Sequence, residues 1–262
     1  MVRVINEDEI QIRHICSKWT AQDIANLGVI LNLSTEESSL DDIERKFKWL
    51  YYSKIRAHGK VAAKSVWAKL TNKTVNADIE EQFPMPSYKE LISGLLNKMK
   101  INYGDEGLKE MEQFLCDAVI AEALLKMNPE QRRRAFSEKM ELDELDENLV
   151  KNDNTLRQAA KGIGGFSLLN AAGFSLYTSS TMALSFAAGM TGITLPFAVY
   201  TGMTSFISMI IGPVGWTAFG GWIAWKRTSA EWDKLRLALL YIISIQSKKR
   251  TISAESIVFQ KA

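Results

Sequence analysis

The chain has 262 residues, of which 47% are hydrophobic and 24% are charged, and its formal net charge is +2. This composition excludes a mainly disordered protein. The small net charge gives no overall preference for nucleic acid or for a membrane, so any such preference has to be local. The two cysteines, Cys16 and Cys116, lie within apolar helical patterns. They predict two buried free thiols rather than a disulfide, as suits a reducing compartment.

The first half of the chain shows helical spacing of its apolar residues almost throughout. Thr20 followed by Asp23 resembles a capping box and predicts a helix boundary near Thr20. Ser34, which precedes two acids, is predicted to cap the helix that follows. The prolines of FPMPSY, residues 83–88, end a helix, and Ser87 is placed to cap the next one.

Further along, the helices YKELISGLLNKMKI and LKEMEQFLCDAVIAEALLKM are separated by the turn NYGDEG, and NPEQRRRAF begins another helix. No segment alternates Val, Ile and Thr as a strand does. We therefore predict an all-α fold with an N-terminal helical bundle, a Gly/Ala-rich apolar helical region and a basic C-terminal amphipathic helix. The charge distribution divides it into a charged bundle over 1–155 and an apolar, membrane-interacting region with a basic tail over 156–262.

Three blocks of this sequence resemble the YaaW-like family of uncharacterised helical bacterial proteins, some of which are labelled ubiquinol–cytochrome c chaperone-like. The blocks are DEIQIRHICSKWTAQDIANLGVIL, LLNKMKINY with LLKMNPEQRRRAF, and IGPVGW, and they follow one another in the family's order. The resemblance implies an all-helical fold with an apolar, Gly/Ala-rich C-terminal region. It supplies no catalytic residues.

The sequence offers no group of residues typical of an active site. The two histidines, His14 and His58, lie far apart, and we expect both to be structural. KGIGG at 161–165 lacks the spacing of a phosphate-binding loop. DELDEN at 143–148 lacks the glycine of an EF-hand and is read as a solvated acidic face. We therefore expect a non-enzymatic protein without a metal or a cofactor.

A basic stretch without any acid runs from Arg45 to Val75 and contains nine Lys and Arg residues. They are interleaved with the aromatic residues Trp49, Tyr51, Tyr52 and Trp67. Such a stretch suits anionic lipid headgroups or nucleic-acid phosphates. A solvated helix face, balanced by the acidic segment 138–147, explains it equally well. The candidates for binding an anionic surface are Lys54, Arg56, Lys60, Lys64, Lys69 and Lys73.

From Gly162 to Trp225 the chain has 64 residues without Asp, Glu, Lys or Arg. A membrane span needs about 20 apolar residues, although a helix that is apolar all round can also belong to a large soluble core. Glycine and proline at 212–213 predict a turn between two arms of an apolar hairpin. The candidates for membrane insertion are Pro196, Ile210, Gly212, Pro213, Trp216, Trp222 and Trp225.

These patterns favour a protein that associates with or inserts into a membrane, with pore formation by a toxin or effector as the sharpest form. The alternative is a soluble chaperone-like or scaffold protein that holds a protein partner with its apolar region. The expected partner is an anionic membrane. Homo-oligomerisation on insertion and a protein partner stay open, and nucleic acid is less favoured.

The opening residues, MVRVINEDEI, carry acids where a secretory signal needs an apolar core. We therefore expect cytoplasmic synthesis without a Sec signal. The protein is then expected to associate with the inner membrane, or to switch between soluble and membrane forms.

Overall fold

A computed structural model describes residues 9–33, 39–52, 84–130, 132, 153–162, 176–191 and 230–259. These ranges contain eight helices and no strand, so the predicted all-α fold is confirmed. In chain order the helices are α1 (Ile12–Cys16), α2 (Ala21–Ile30), α3 (Leu40–Leu50), α4 (Tyr88–Met99), α5 (Leu108–Leu124), α6 (Asp153–Ala159), α7 (Leu176–Thr191) and α8 (Ala230–Phe259).

Side-chain caps set the starts of α2, α3 and α4. Thr20 Oγ1 accepts a hydrogen bond from the Asp23 N–H at 3.1 Å, and the Asp23 carboxylate accepts one from the Thr20 N–H at 3.2 Å, which confirms the predicted capping box. Ser87 caps α4 in the same way, as predicted. The hydroxyl of Ser39 caps α3 at Leu40, whereas the cap predicted at Ser34 falls outside the described residues.

The turn between α4 and α5 confirms the prediction for NYGDEG, and it is joined to the start of the uncharged run. Lys100 ends α4 in the left-handed conformation, with φ of 60°. The N–H of Asn102 donates to the carbonyl of Lys161 at 2.9 Å. The next residue, Gly162, has φ of +63°, and a Cβ there would lie 2.3 Å from the Asn102 carbonyl oxygen. Only glycine therefore fits at this junction.

The middle segments of α7 and α8 are buried on all sides. Every residue over 179–188 in α7 and over 235–244 in α8 is buried. α7 packs against both α5 and α8, and α8 also packs against α2 and α3. One hydrophobic core contains residues from all eight helices, so helices on both sides of residue 155 contribute to it. The division of the chain at that residue, drawn from charge, stays a prediction.

The predicted C-terminal helix is present as α8, and the structure adds where its polar and apolar parts lie. Its middle, LRLALLYIIS over 235–244, is buried around the whole circumference. Burial of this kind is expected for a helix segment that has apolar residues on nearly every side. The basic residues that follow are half-buried or exposed, ending with Arg250 at the surface. α8 is thus a core helix over 235–244, followed by a partly solvated basic stretch over 248–250.

Candidate functional site

The residues predicted to bind or enter a membrane lie outside the described residues. This applies to the insertion candidates Pro196, Ile210, Gly212, Pro213, Trp216, Trp222 and Trp225 and to the surface candidates Lys54, Arg56, Lys60, Lys64, Lys69 and Lys73. The acidic segment 138–147 lies outside them as well. The part of the predicted site that the structure does describe is α7 together with the helices that cover it.

The beginning of the basic stretch lies on α3, where it takes part in the fold. Arg45 forms an ion pair with Asp42, with 3.4 Å between nitrogen and oxygen. Tyr51 and Tyr52 are buried and stack edge to face with ring centroids 5.1 Å apart. The hydroxyl of Tyr52 donates to the Pro84 carbonyl at 3.0 Å. These two aromatic residues of the basic stretch therefore belong to the core and not to a lipid-facing surface.

α7 is the described helix of the uncharged run, and most of its buried hydroxyl groups bond back to their own helix. Ser180 and Thr181 both donate to the carbonyl of Tyr177, at 2.9 and 2.8 Å, and Ser185 donates to that of Thr181 at 2.9 Å. Bonds of this kind satisfy a hydroxyl without a partner on another helix. Ser179 Oγ, also buried, has no hydrogen-bond partner in the described part of the chain.

α7 touches α8 through a pair of hydroxyl groups within the apolar interface. Ser180 Oγ and Ser247 Oγ lie 3.3 Å apart, and both are buried. The Ser247 hydroxyl also donates to the carbonyl of Ser244 at 3.0 Å. Since α5 packs on another side of α7, the uncharged helix is enclosed by two helices that carry charged groups.

One of those charged groups is the carboxylate of Glu112 on α5, which is fully buried. Its Oε1 accepts a hydrogen bond from the Tyr88 hydroxyl at 3.0 Å, and its Oε2 accepts one from the guanidinium of Arg250 at 3.0 Å. Burial next to this carboxylate raises the pKa of Tyr88 well above its usual value, so its hydroxyl stays a donor. A single side chain thereby joins α4, α5 and α8.

A second ion pair joins α5 to α8 at the other end of their contact. The buried guanidinium of Arg236 lies 3.1 Å from Glu122 and 3.4 Å from Asp233, and it packs over the Trp232 ring at 4.9 Å. Arg250 of α8 pairs with Glu112 of α5, and Arg236 of α8 pairs with Glu122 of α5. Residue numbers therefore fall along α8 as they rise along α5. The two helices are therefore antiparallel.

The N-terminal helices contact α8 through Tyr241. Its ring packs edge to face on Trp19 with centroids 5.9 Å apart, and its hydroxyl accepts a hydrogen bond from the buried amide of Asn26 at 3.3 Å. Farther along α8, the ammonium of Lys249 donates to the carbonyl of Lys18 at 2.8 Å. Contacts with α8 thus bring both ends of the described chain to one core.

The described cysteines are both buried and free, which confirms the prediction. Burial raises the pKa of Cys16 to about 12 and raises that of Cys116 well above its usual value. At neutral pH both thiols are protonated, and a reactive cysteine needs the thiolate. Within the described ranges, no group of three or more His, Cys, Asp and Glu side chains is arranged to hold a metal ion.

We did not predict from the sequence the buried charges Glu112 and Arg236, or the half-exposed Arg250 that pairs with Glu112. A signal for two of them is present in the sequence. Glu112 stands one turn before the buried Cys116 on an otherwise apolar face, and Arg236 interrupts the run LRLALL. A charge within an apolar helix face requires a buried partner, but only the structure shows which residue provides it.

Among the described helices, none combines the length and the apolar character that crossing a bilayer requires. The chain is similar to a UPF0174 protein of Helicobacter pylori, at 27% identity over 139 residues, which cover 52% of this chain and 51% of that protein. The chain thus spans about half the length of the curated relative it matches. No protein-family model matches the chain, and no solved structure matches it. The name of the relative assigns no activity.

Proposed function

We propose that this protein associates with membranes through its uncharged segment, 162–225, and keeps part of that segment inside a helical bundle while it is in water. The observation that supports this proposal is the burial of α7 between α5 and α8. Exposed to water, such a helix would offer an apolar surface without charge, and burial avoids that cost. Membership of the YaaW-like family belongs to the same proposal and rests on the sequence blocks quoted above.

The chemistry of α7 suits transfer from a protein core to lipid. Inside a bilayer each polar group needs a partner within the protein. The hydroxyls of Ser180, Thr181 and Ser185 already bond to carbonyls of their own helix and would carry those bonds with them. α7 has 16 residues, or about 24 Å of helix, which is less than a hydrocarbon core of about 30 Å. Insertion would therefore also involve neighbouring residues of the uncharged segment.

We further propose that the protein is non-enzymatic and that the basic stretch at 45–75 binds anionic lipid in preference to nucleic acid. Pore formation as a toxin or effector, oligomerisation in the membrane and a location at the inner membrane are its more specific forms. The alternative is a soluble scaffold that holds a protein partner with the same apolar region. Both the membrane proposal and the scaffold proposal involve the buried helix α7. An experiment that separates them must therefore hold α7 in place.

Residues 180 and 247 offer such a test, because their hydroxyl oxygens lie 3.3 Å apart on α7 and α8. In the double variant Ser180→Cys/Ser247→Cys, we expect a disulfide to form and hold α7 in the bundle, since the two side chains meet across the interface. We expect the unmodified protein to release dye from phosphatidylglycerol vesicles. The oxidised double variant should release none, and reduction should restore release.

Each single variant, Ser180→Cys and Ser247→Cys, serves as a control under the same oxidation and should behave like the unmodified protein. Failure of the unmodified protein to bind or permeabilise vesicles at neutral and acidic pH would contradict the membrane proposal and favour the scaffold. Dye release by the oxidised double variant would show that α7 does not need to leave the bundle.

A further inference from the structure

We propose that the Glu112–Arg250 ion pair is an autoinhibitory contact, which anionic lipid headgroups release by competing for the guanidinium of Arg250. This inference rests on the function proposed above and names the step that would free α7. Among the residues that the structure describes, two ion pairs join α5 to α8. They differ in how far a membrane can reach them.

The difference is the exposure of the arginine. The side chain of Arg236 is 5% exposed, so a lipid phosphate cannot approach it while the bundle is closed. The side chain of Arg250 is 48% exposed, although its partner Glu112 is 0% exposed. Arg250 therefore extends from the surface to a carboxylate in the interior.

Withdrawal of the arginine would act on three helices at once. Glu112 would keep the hydrogen bond from Tyr88 on α4 but lose the ion pair with Arg250 on α8. Breaking an ion pair of a buried carboxylate by removing the other member destabilises the packing around it. Phosphate is a good competitor because a guanidinium binds its oxygens with two parallel hydrogen bonds.

The chain contains a native reporter for this opening. Cys116 lies one helical turn after Glu112 on α5 and is fully buried, so a thiol reagent reaches it only when the packing there opens. Cys16 is equally buried and lies on a different helix, α1. Labelling of the two thiols can therefore be compared within one molecule.

In Arg250→Gln we expect the labelling rate of Cys116 to rise about 10- to 100-fold, with a smaller rise for Cys16. This is less than a fully buried pair would give, because Arg250 is half exposed. Arg250→Lys, which retains the charge, should restore most of the protection. Arg157→Gln, at an exposed position on α6, is the matched control and should leave both rates unchanged. Circular dichroism shows whether each variant has the native helix content.

For the unmodified protein, phosphatidylglycerol vesicles should accelerate labelling of Cys116, whereas phosphatidylcholine vesicles and inorganic phosphate should not. Acceleration by inorganic phosphate alone would show that any phosphate releases the contact and would overturn the assignment to lipid. Unchanged labelling of Cys116 in Arg250→Gln would overturn the inference whatever the vesicles do. Faster labelling without dye release by either protein would support a contact that closes the bundle and contradict the membrane function.

Discussion

Two regions of the molecule differ in how far their charged side chains are exposed to water. One is the helix pair α1 and α3, and the other is the group of central helices α5, α7 and α8. Between α1 and α3, the guanidinium of Arg13 bonds to Asp41 and, at 2.7 Å, to Glu44, in a contact that water reaches. In the centre, Glu112 and Arg236 are themselves buried, and each forms an ion pair with a half-exposed partner, Arg250 or Glu122. Water can replace an exposed contact, but it cannot replace a buried one. Similar substitutions should therefore have very different effects in the two regions.

The largest difference is expected when a charge is introduced in each region. Leu184 on α7 is fully buried, and Leu184→Asp would place an unpaired carboxylate in the core. We expect a loss of at least about 3 kcal/mol in the free energy of unfolding. Val29→Asp, at an apolar residue that is 38% exposed on α2, should cost less than about 1 kcal/mol. Urea denaturation followed by circular dichroism measures both, and equal effects would contradict the burial of α7.

A smaller difference is expected for the loss of one hydroxyl. Tyr241→Phe removes the acceptor of the buried Asn26 amide N–H, and we expect a loss of about 1–2 kcal/mol because that N–H loses its acceptor. Tyr103→Phe removes an exposed hydroxyl that accepts from Asn97 at 3.2 Å. The control should stay within about 0.5 kcal/mol of the unmodified protein. Thermal or urea unfolding that ranks the two variants the other way would count against the comparison.

The cap of α4 allows a test in which burial matters less than local geometry. Ser87→Ala removes the acceptor of the Glu90 N–H, which should cost about 1 kcal/mol. Ser93→Ala, within the same helix, removes a hydroxyl that donates to the Glu90 carbonyl and should cost nothing measurable. Ser87→Asp, which can still cap, should behave like the unmodified protein in the same denaturation experiment.

The smallest effect is expected at the exposed ion pairs of Arg13. Arg13→Ala should shift the urea midpoint slightly at low ionic strength, and the shift should vanish at high salt because ions screen exposed charges. Measuring the midpoint at both ionic strengths checks this expectation. A shift that persists at high salt would mean that the contact between α1 and α3 depends on packing of the arginine stem.

Features that depend on neighbouring residues could be predicted from the sequence. The capping box of Thr20 and Asp23, the cap at Ser87 and the absence of strand patterns all follow from short-range rules, and the structure confirms them in the residues it describes. The burial of both thiols followed from their apolar surroundings. The position of the α3 cap could not be settled, since STEESS contains several serines that are suitable for it.

Features that depend on distant residues could not be predicted. Glu112 and Arg250 are 138 positions apart, and no spacing rule connects residues at that separation. The sequence indicated that 162–225 is uncharged but not which helices would cover α7, because a core and a bilayer favour the same apolar composition. The residues chosen as insertion and surface candidates lie outside the described ranges, so their roles stay predictions.

The central position of α8 also affects how the chain folds while it is being synthesised. A ribosome adds about 5–20 residues per second, so α8, which begins at Ala230, starts to emerge roughly 5–21 s after α5, which ends at Leu124. During that interval α2, α3 and α5 have left the ribosome without the helix that fills the space between them. A nascent chain in this state exposes apolar surface to chaperones and proteases. The rate at which the chain is translated from α5 to α8 should therefore influence how much of the protein survives to fold.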